Sequence, residues 1–148
     1  MGTKRVGWAR IRSLINENTN NLQMQKEVVM NVSAETTLTM EDSGKLITID
    51  QGAAFTITLP SDAAGANFKF LLTEADSNDV KIDGGGSNAV KGWAFDPTTG
   101  INAVDNNLVK FVSGDAVIGD VIHLYNDGTS WWCNAWSGAT NGILGANS

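Results

Sequence analysis

The chain has 148 residues and a net charge of −6, with 18% charged residues, 16 glycines, one cysteine and one histidine. A chain of this length builds one domain with a substantial core, and the low charge and high glycine content favour a turn-rich β protein over a helical one. A single cysteine excludes an internal disulfide, and a zinc site of the usual Cys/His composition is excluded as well. No apolar run reaches the length of a membrane span, and the basic N-terminus lacks the apolar core of a signal peptide, so we expect a protein made in a cytoplasm.

The charge of the chain changes sign near Glu27. Residues 1–27 carry five cations against two acids, a net charge of +3, whereas residues 28–148 carry five cations against fourteen acids, a net charge of −9. Because an acidic body repels nucleic acid, we expect the basic arm to contact an acidic protein surface, with phosphate as the alternative. The candidate contact residues of the arm are Arg5, Arg10 and Arg12.

The arm contains the only pattern in the chain that predicts a helix. Apolar residues recur there at the core positions of a seven-residue repeat, and they are Trp8, Ile11, Ile15, Leu22 and Val29. Two further core positions hold Asn18 and Gln25, and the asparagine-rich stretch between residues 16 and 21 has poor helix propensity. We therefore predict a short amphipathic helix followed by an extended arm, with a helical bundle at an oligomer axis as the alternative.

From Glu27 onward the apolar residues recur with a period of two, which is typical of strands. The predicted strands are Val28–Val32, Thr36–Thr39, Lys45–Asp50, Phe55–Leu59, Asn67–Thr73, Val80–Asp83, Ala89–Phe95 and Leu108–Val112. Residues 96–107 are predicted to be a long turn-rich excursion, and no internal repeat is visible. These elements predict an all-β, antiparallel and jelly-roll-like sandwich of about 8–10 short strands. The body spans residues 28–138, and residues 139–148 form an extended or flexible tail.

Residues 118–138 predict a hairpin that is apolar on both faces. Alternation places Trp131 and Cys133 on the core side and Tyr125, Trp132 and Trp136 on the opposite side. A sheet with one side in water alternates more cleanly, so we expect the second face to meet another sheet or subunit. The interface candidates are Tyr125, Trp132 and Trp136 on the hairpin, and Trp8, Ile11 and Ile15 on the arm. A sugar-stacking platform on the same aromatic residues is the alternative.

The chain offers no residue pattern that indicates catalysis, a cofactor or a metal site. The alternation places His123 and Cys133 on opposite faces, which argues against a nucleophile–base pair. The glycine run 84–86 lacks the lysine of a phosphate-binding loop, and the nearby acids fit an ordinary polar loop better than a calcium site. We therefore predict that the protein is not an enzyme. A small hydrolase is the minor alternative, with candidates Asp76, Asp79, Asp83 and His123.

Three stretches resemble small structural proteins of tailed bacteriophages, notably those of marine and cyanobacterial phages. They are GTKRVGWARIRSLINE near the N-terminus, LTMEDSGKLITIDQGAAFTITLP in the middle, and IGDVIHLYNDGTSWW near the end. Together they place the resemblance over most of the chain. The motifs are structural rather than catalytic, and Trp132 and Trp136 have no counterpart in the pattern of this group.

The resemblance implies a virion component that is assembled in the host cytoplasm. Similar small β-sandwich proteins decorate capsids as trimers, so we expect a capsid decoration, or cement, protein. Such a protein forms a homo-oligomer, with a trimer favoured, and stabilises the shell by binding the major capsid protein. The alternative implied by the same motifs is a tail fibre or tail adaptor component with a face that binds host glycans.

Overall fold

A computed structural model describes residues 7–15, 27–61, 63–86 and 89–147. Twelve strands in these ranges form two sheets that pack against each other. The strands are β1 (Val29–Val32), β2 (Thr36–Thr37), β3 (Leu46–Asp50), β4 (Phe55–Thr58), β5 (Asn67–Glu74), β6 (Val80–Asp83), β7 (Val90–Asp96), β8 (Gly100–Asn106), β9 (Leu108–Phe111), β10 (Val121–Asn126), β11 (Trp131–Trp136) and β12 (Ile143–Ala146). The larger sheet has the order β1-β3-β5-β10-β11-β7-β8, and the smaller sheet has the order β12-β9-β6-β4-β2.

The first six strands alternate between the two sheets. Strands β1, β3 and β5 lie side by side and parallel in the larger sheet, while β2, β4 and β6 do the same in the smaller sheet. The chain therefore winds through three successive coils, each adding one strand to each sheet. The remaining strands close the sandwich mainly through antiparallel pairs, with β10 on β5 and β9 on β6.

The all-β sandwich predicted from the sequence is confirmed, but its sheets are mixed rather than antiparallel. Five of the ten strand pairs in the described ranges are parallel. Antiparallel neighbours arise from hairpins, whereas here the short connections after β1 to β5 lead across to the other sheet. The coiled arrangement is a structural repeat that has no counterpart in a repeated sequence motif.

The core is formed by the inward-facing residues of both sheets. Every second residue of β3, β4 and β6 is buried, and Ile49, Ile57 and Ile82 have no exposed surface. Trp131 of β11 is 3% exposed and packs against Phe68 of β5, with 5.6 Å between the ring centroids. The period-two pattern of the sequence therefore coincides with the buried face, as expected for a half-buried strand.

A buried glutamine joins two successive coils. Gln51, at the end of β3, is fully buried, and its amide N–H donates to the carbonyl of Asn78 in the loop after β5. The backbone N–H of Asp76 donates to Gln51 Oε1 at 3.0 Å, and Asn78 Nδ2 donates to the Gln51 carbonyl at 3.1 Å. Because an unpaired buried amide is costly, these reciprocal bonds fix one coil above the other.

Residues 96–107 are not the turn-rich excursion that the sequence predicts, because β8 returns antiparallel to β7 through a tight turn. Asp96 is 2% exposed, and its carboxylate accepts the backbone N–H groups of Thr98 at 2.8 Å and Thr99 at 2.7 Å. The Thr99 hydroxyl donates to the same carboxylate, and Gly100 takes a positive φ of 81°. One aspartate therefore organises the whole turn, as Asx side chains do.

The last described residues belong to a sheet. β12 pairs with β9 at the edge of the smaller sheet, and Ile143 is only 2% exposed. The sequence predicts residues 139–148 to be a tail outside the body, because small and polar residues dominate there. A single buried isoleucine, together with backbone pairing, is enough to place most of this segment in the fold.

In the arm, residues 7–15 form an α-helix, α1, all of whose residues are exposed. Trp8, Ile11 and Ile15 are 62%, 49% and 55% exposed. Arg10 and Arg12 lie on α1, whereas Arg5 and most of the predicted arm after α1 lie outside the described residues. Within the described ranges, no helix is long and apolar enough to cross a bilayer.

Replacing Gly92 with alanine should destabilise the protein strongly. Gly92 lies in β7 with a φ of 134°, and an added Cβ would sit 2.1 Å from the carbonyl oxygen of Cys133 on the parallel neighbour β11. Backbone strain and overpacking together predict a loss of about 3 kcal/mol or more in the free energy of unfolding, measured by denaturant titration. Gly86→Ala is the control, because its Cβ would lie 4.0 Å from Ala89. Equal stability of the two variants would contradict this account.

The stability of the protein should depend on the ionisation of Asp96. Hydrogen bonds from the Thr99 hydroxyl and backbone, then from Thr98 and Asn102, hold the pKa of Asp96 well below its ordinary value despite burial. A carboxyl whose folded pKa is depressed stabilises the fold above its unfolded pKa of about 3.9, and this contribution disappears as the pH falls toward the folded pKa.

Asp96→Asn should therefore melt several degrees lower than the wild type at pH 7, and the two melting curves should converge between about pH 4 and pH 2. The control is Asp105→Asn, which changes an exposed side chain and should leave the melting temperature nearly unchanged. A constant difference between Asp96→Asn and the wild type over the whole range would refute the ionic role.

Candidate interaction surface

The outer face of the larger sheet carries the aromatic residues singled out in the sequence. On the central hairpin, Tyr125, Trp132 and Trp136 face outward and are 44%, 45% and 43% exposed. Trp131 and Cys133 face the core at 3% and 0% exposure. The predicted assignment of residues to the two faces agrees with the structure, and the interface role of the outward residues stays a prediction.

An unbroken row of apolar side chains crosses five strands of this outer face. Lateral pairing in the sheet joins each residue to the next, and the residues in order are Leu71 on β5, Val121 on β10, Trp136 on β11, Phe95 on β7 and Ile101 on β8. Phe95 is 40% exposed and Ile101 is 73% exposed. We call these five residues the outer apolar row.

The Trp136 ring packs against two other rings on the outer face, those of Trp93 on β7 and His123 on β10. The Trp93 ring meets it edge-on, with 5.1 Å between centroids and an interplanar angle of 86°. The His123 ring meets it at 5.7 Å and 75°. Edge-to-face contacts of this kind favour one ring orientation, so the exposed indole is ordered before any partner binds.

Trp132 is fixed by a hydrogen bond at the hairpin turn. Its indole N–H donates to Asp127 Oδ2 at 2.7 Å, while Asp127 Oδ1 accepts the backbone N–H groups of Thr129 and Ser130 at 2.8 Å. These bonds hold the pKa of the Asp127 carboxyl below its ordinary value, with the indole donor as the largest cause. Tyr125 lies directly opposite Trp132 on β10, so two exposed aromatic rings are neighbours at this end of the face.

Charged residues border the apolar row rather than interrupt it. Lys69 forms an ion pair with Glu27, and Lys91 lies laterally between Trp132 and Asp105. Beyond Leu71, which ends the row on β5, Asp50 on β3 lies opposite Glu74 on β5 in the strand register. The five residues of the row itself are all uncharged.

The outer apolar row is a contiguous exposed apolar patch; on monomeric proteins such patches rarely exceed a few hundred Å², and larger ones often mark interaction sites. Covering apolar area contributes about 25 cal/mol per Å², so a partner that covered three large side chains would gain roughly several kcal/mol before association costs. The outer apolar row is therefore a candidate docking surface.

The sequence analysis missed Trp93, Phe95 and Ile101 as members of this surface. The signal was present as a period-two alternation of Lys91, Trp93 and Phe95, followed by Ile101 after the turn. This alternation does not identify the surface by itself, because residues 96–107 are predicted to be a loop, whereas they contain β8, the second strand of the β7–β8 hairpin. The apolar side of β8 becomes visible only when β7 and β8 are paired.

The candidates for catalysis do not form a common site. His123 faces outward and Cys133 inward, since their lateral partners are Asn134 and Leu124 respectively. Burial, followed by the nearby charge of Lys69, lowers the pKa of His123, while Glu27 opposes this shift. This shift favours the neutral imidazole. No group of three or more His, Cys, Asp or Glu residues is arranged to hold a metal ion in the described ranges.

The three acidic residues named as hydrolase candidates form hydrogen bonds or ion pairs with loop residues and with Lys110. Asp79 forms an ion pair with Lys110 at 2.7 Å and accepts the backbone N–H of Ser113 at 2.8 Å. Asp83 accepts the N–H of Gly85 at 2.8 Å, and Asp76 accepts the N–H of Ser77 at 2.6 Å. Each of these carboxylates therefore accepts a hydrogen bond from the backbone of a loop or turn.

A wide groove of about 990 Å³ opens where strands of both sheets end. The described lining residues are rich in hydroxyl groups, such as those of Thr37, Thr58 and Ser130, and in glycine. Lys91 is the one charged residue in the described lining. The lining residues that the structure describes include no carboxylate or imidazole. The described lining of the groove therefore offers hydrogen-bonding hydroxyl groups.

The thiol of Cys133 should be unreactive in the folded protein. Burial raises its pKa to about 12, and the residue has no exposed surface. Since the thiolate is the nucleophile, Ellman's reagent at pH 8 should label no thiol in the native state and one thiol per chain in denaturant. Rapid labelling of the native protein would show that β11 opens readily or that the thiol is accessible.

Comparison with known proteins adds no family to these observations. No protein-family model matches the chain, and no curated protein matches it significantly. The functional conclusion therefore depends on the geometry of the outer face and on the resemblance carried by the sequence motifs.

Proposed function

We propose that the protein is a structural component of a tailed-bacteriophage virion, namely a capsid decoration protein. In this function it forms a homo-oligomer, with three copies as the expected number, and binds the major capsid protein on the outside of the shell. The observation that carries the proposal is the outer apolar row, a preformed and exposed docking surface on a rigid β-sandwich. The assignment to a phage virion depends on the sequence motifs that resemble those of phage structural proteins.

The mechanism of such a protein is mechanical. Apolar area buried across the boundaries between subunits adds free energy that must be overcome before the shell opens, and this opposes the pressure of packaged DNA. A rigid domain suits this task because little conformational entropy is lost on binding. The buried polar anchors Gln51 and Asp96 provide that rigidity at the turns.

The basic arm provides a second contact. Arg10 and Arg12 lie on α1, which is exposed, and the body of the same chain is acidic. Electrostatic attraction between the arm and an acidic surface of the shell or of a neighbouring copy would raise the rate of association and orient the subunit. Binding through the arm should therefore weaken as the salt concentration rises.

The second candidate function is a tail fibre or tail adaptor component that binds host glycans. The observation in its favour is the pair of exposed rings, Tyr125 and Trp132, with the Trp132 indole fixed by Asp127. Sugar rings stack on such platforms and accept hydrogen bonds from neighbouring polar groups, which Asn134 and Lys91 offer here. A glycan array without hits at high protein concentration would count heavily against this candidate.

The location of the chain on the particle decides between the two functions. Cryo-electron microscopy of the virion should place density of this sandwich on the shell, at positions related by the capsid symmetry. Density at the tail alone would overturn the capsid proposal and favour the second candidate. Absence from purified virions, measured by mass spectrometry, would overturn both.

The purified protein should be a stable oligomer at micromolar concentration in light scattering, with a trimer as the expected species. Ile101→Gln removes the most exposed residue of the outer apolar row and should weaken association about tenfold, a typical cost for an interface residue. Met40→Gln is the matched control, because Met40 is 45% exposed but lies on the short helical turn Met40–Asp42. A monomeric wild type, or equal effects of both substitutions, would contradict the interface assignment.

A further inference from the structure

The chain carries two exposed apolar surfaces. One is the outer apolar row on the larger sheet. The other is the stripe on α1 formed by Trp8, Ile11 and Ile15, which share one helix face because they lie three and seven residues apart. We infer that α1 of one copy docks on the outer apolar row of a second copy.

The dimensions of the two surfaces match. The nine residues of α1 span about 13 Å at 1.5 Å per residue. The outer apolar row crosses five neighbouring strands, which is about 19 Å at 4.8 Å per strand. A helix laid along the row can therefore bring all three stripe residues onto it.

The charges around the two surfaces are also complementary. Arg12 lies at the border of the apolar stripe of α1, where its guanidinium group can reach a carboxylate beside the docked helix, whereas Arg10 lies on the opposite side of the helix. Four carboxylates border the sheet face, those of Glu27, Asp50, Glu74 and Asp105, against the two cations Lys69 and Lys91. On the scale of the whole chain, residues 1–27 carry +3 and residues 28–148 carry −9.

The occupant is a second copy because one chain leaves both surfaces uncovered. Trp8 is 62% exposed while Ile101 is 73% exposed in the same chain, so α1 does not cover its own row. Exchange of α1 between copies is a head-to-tail contact, and such a contact closes into a ring when its rotation is that of a cyclic oligomer. This contact concerns copies of the chain alone and is independent of the particle to which they belong.

Cysteine cross-linking between full-length chains tests the inference. One preparation carries Leu14→Cys beside the stripe of α1, and a second preparation of different size tag carries Ala103→Cys on the outer face of β8, near Ile101. The native Cys133 is buried and does not compete for the reagent. After mixing, a short bismaleimide linker should join the two chains into a mixed dimer.

A matched control uses Lys81→Cys in place of Ala103→Cys, because Lys81 is exposed on β6 of the smaller sheet. The yield of mixed dimer should fall about tenfold in this control. It should fall by a similar factor when Ile101→Gln is added to the Ala103→Cys chain, while adding Met40→Gln should leave the yield unchanged. Raising the salt concentration should lower the yield as well.

Three outcomes would overturn the inference. Dimers that form chiefly between two Leu14→Cys chains would instead indicate a helical bundle. A cross-link confined within single chains of the double variant Leu14→Cys, Ala103→Cys would indicate that α1 docks on its own body. Equal yields with Ala103→Cys and Lys81→Cys would show that α1 has no preference for the outer apolar row.

Discussion

The apolar character of both faces of β11 is the constraint on which the rest of the structure depends. This strand lies between β10 and β7 in the larger sheet, so neither of its edges is free. Its inner residues, Trp131 and Cys133 among them, complete the core against β5 and the smaller sheet. Of its outer residues, Trp136 belongs to the outer apolar row and Trp132 lies beside Tyr125. The same strand therefore contributes both to the core and to the exposed apolar surface of the outer face.

Buried polar side chains make this arrangement rigid. Asp96 organises the turn that returns β8 beside β7, and Gln51 joins successive coils of the first half. Asp120 is 1% exposed and accepts the Ser137 hydroxyl at 2.9 Å and the Gly138 N–H at 2.7 Å, which ties the start of β10 to the end of β11. Each bond set satisfies groups that would be costly to bury alone, so the outer face is presented with little freedom.

Alternation in the sequence was sufficient to predict strand positions and the two faces of the hairpin, because a side-chain period of two follows from local backbone geometry. It was insufficient where other interactions decide the structure. The β7–β8 turn depends on one aspartate that gathers several donors, and β12 depends on Ile143 reaching a core built by distant strands. The outer apolar row was missed for the same reason, since Phe95 and Ile101 become neighbours only through strand pairing.

By itself, the sequence determined the β class, the acidic body, the basic amphipathic arm and the placement of Trp132 and Trp136 opposite Trp131. These properties depend on residue type and short-range spacing, which can be read directly from the sequence. Only the tertiary structure decided that the first six strands wind as parallel coils and that five strands share one apolar row. The physical reason is that the choice of strand partner is made by long-range burial and by the satisfaction of backbone hydrogen bonds, and the same alternating strand can pair in either direction.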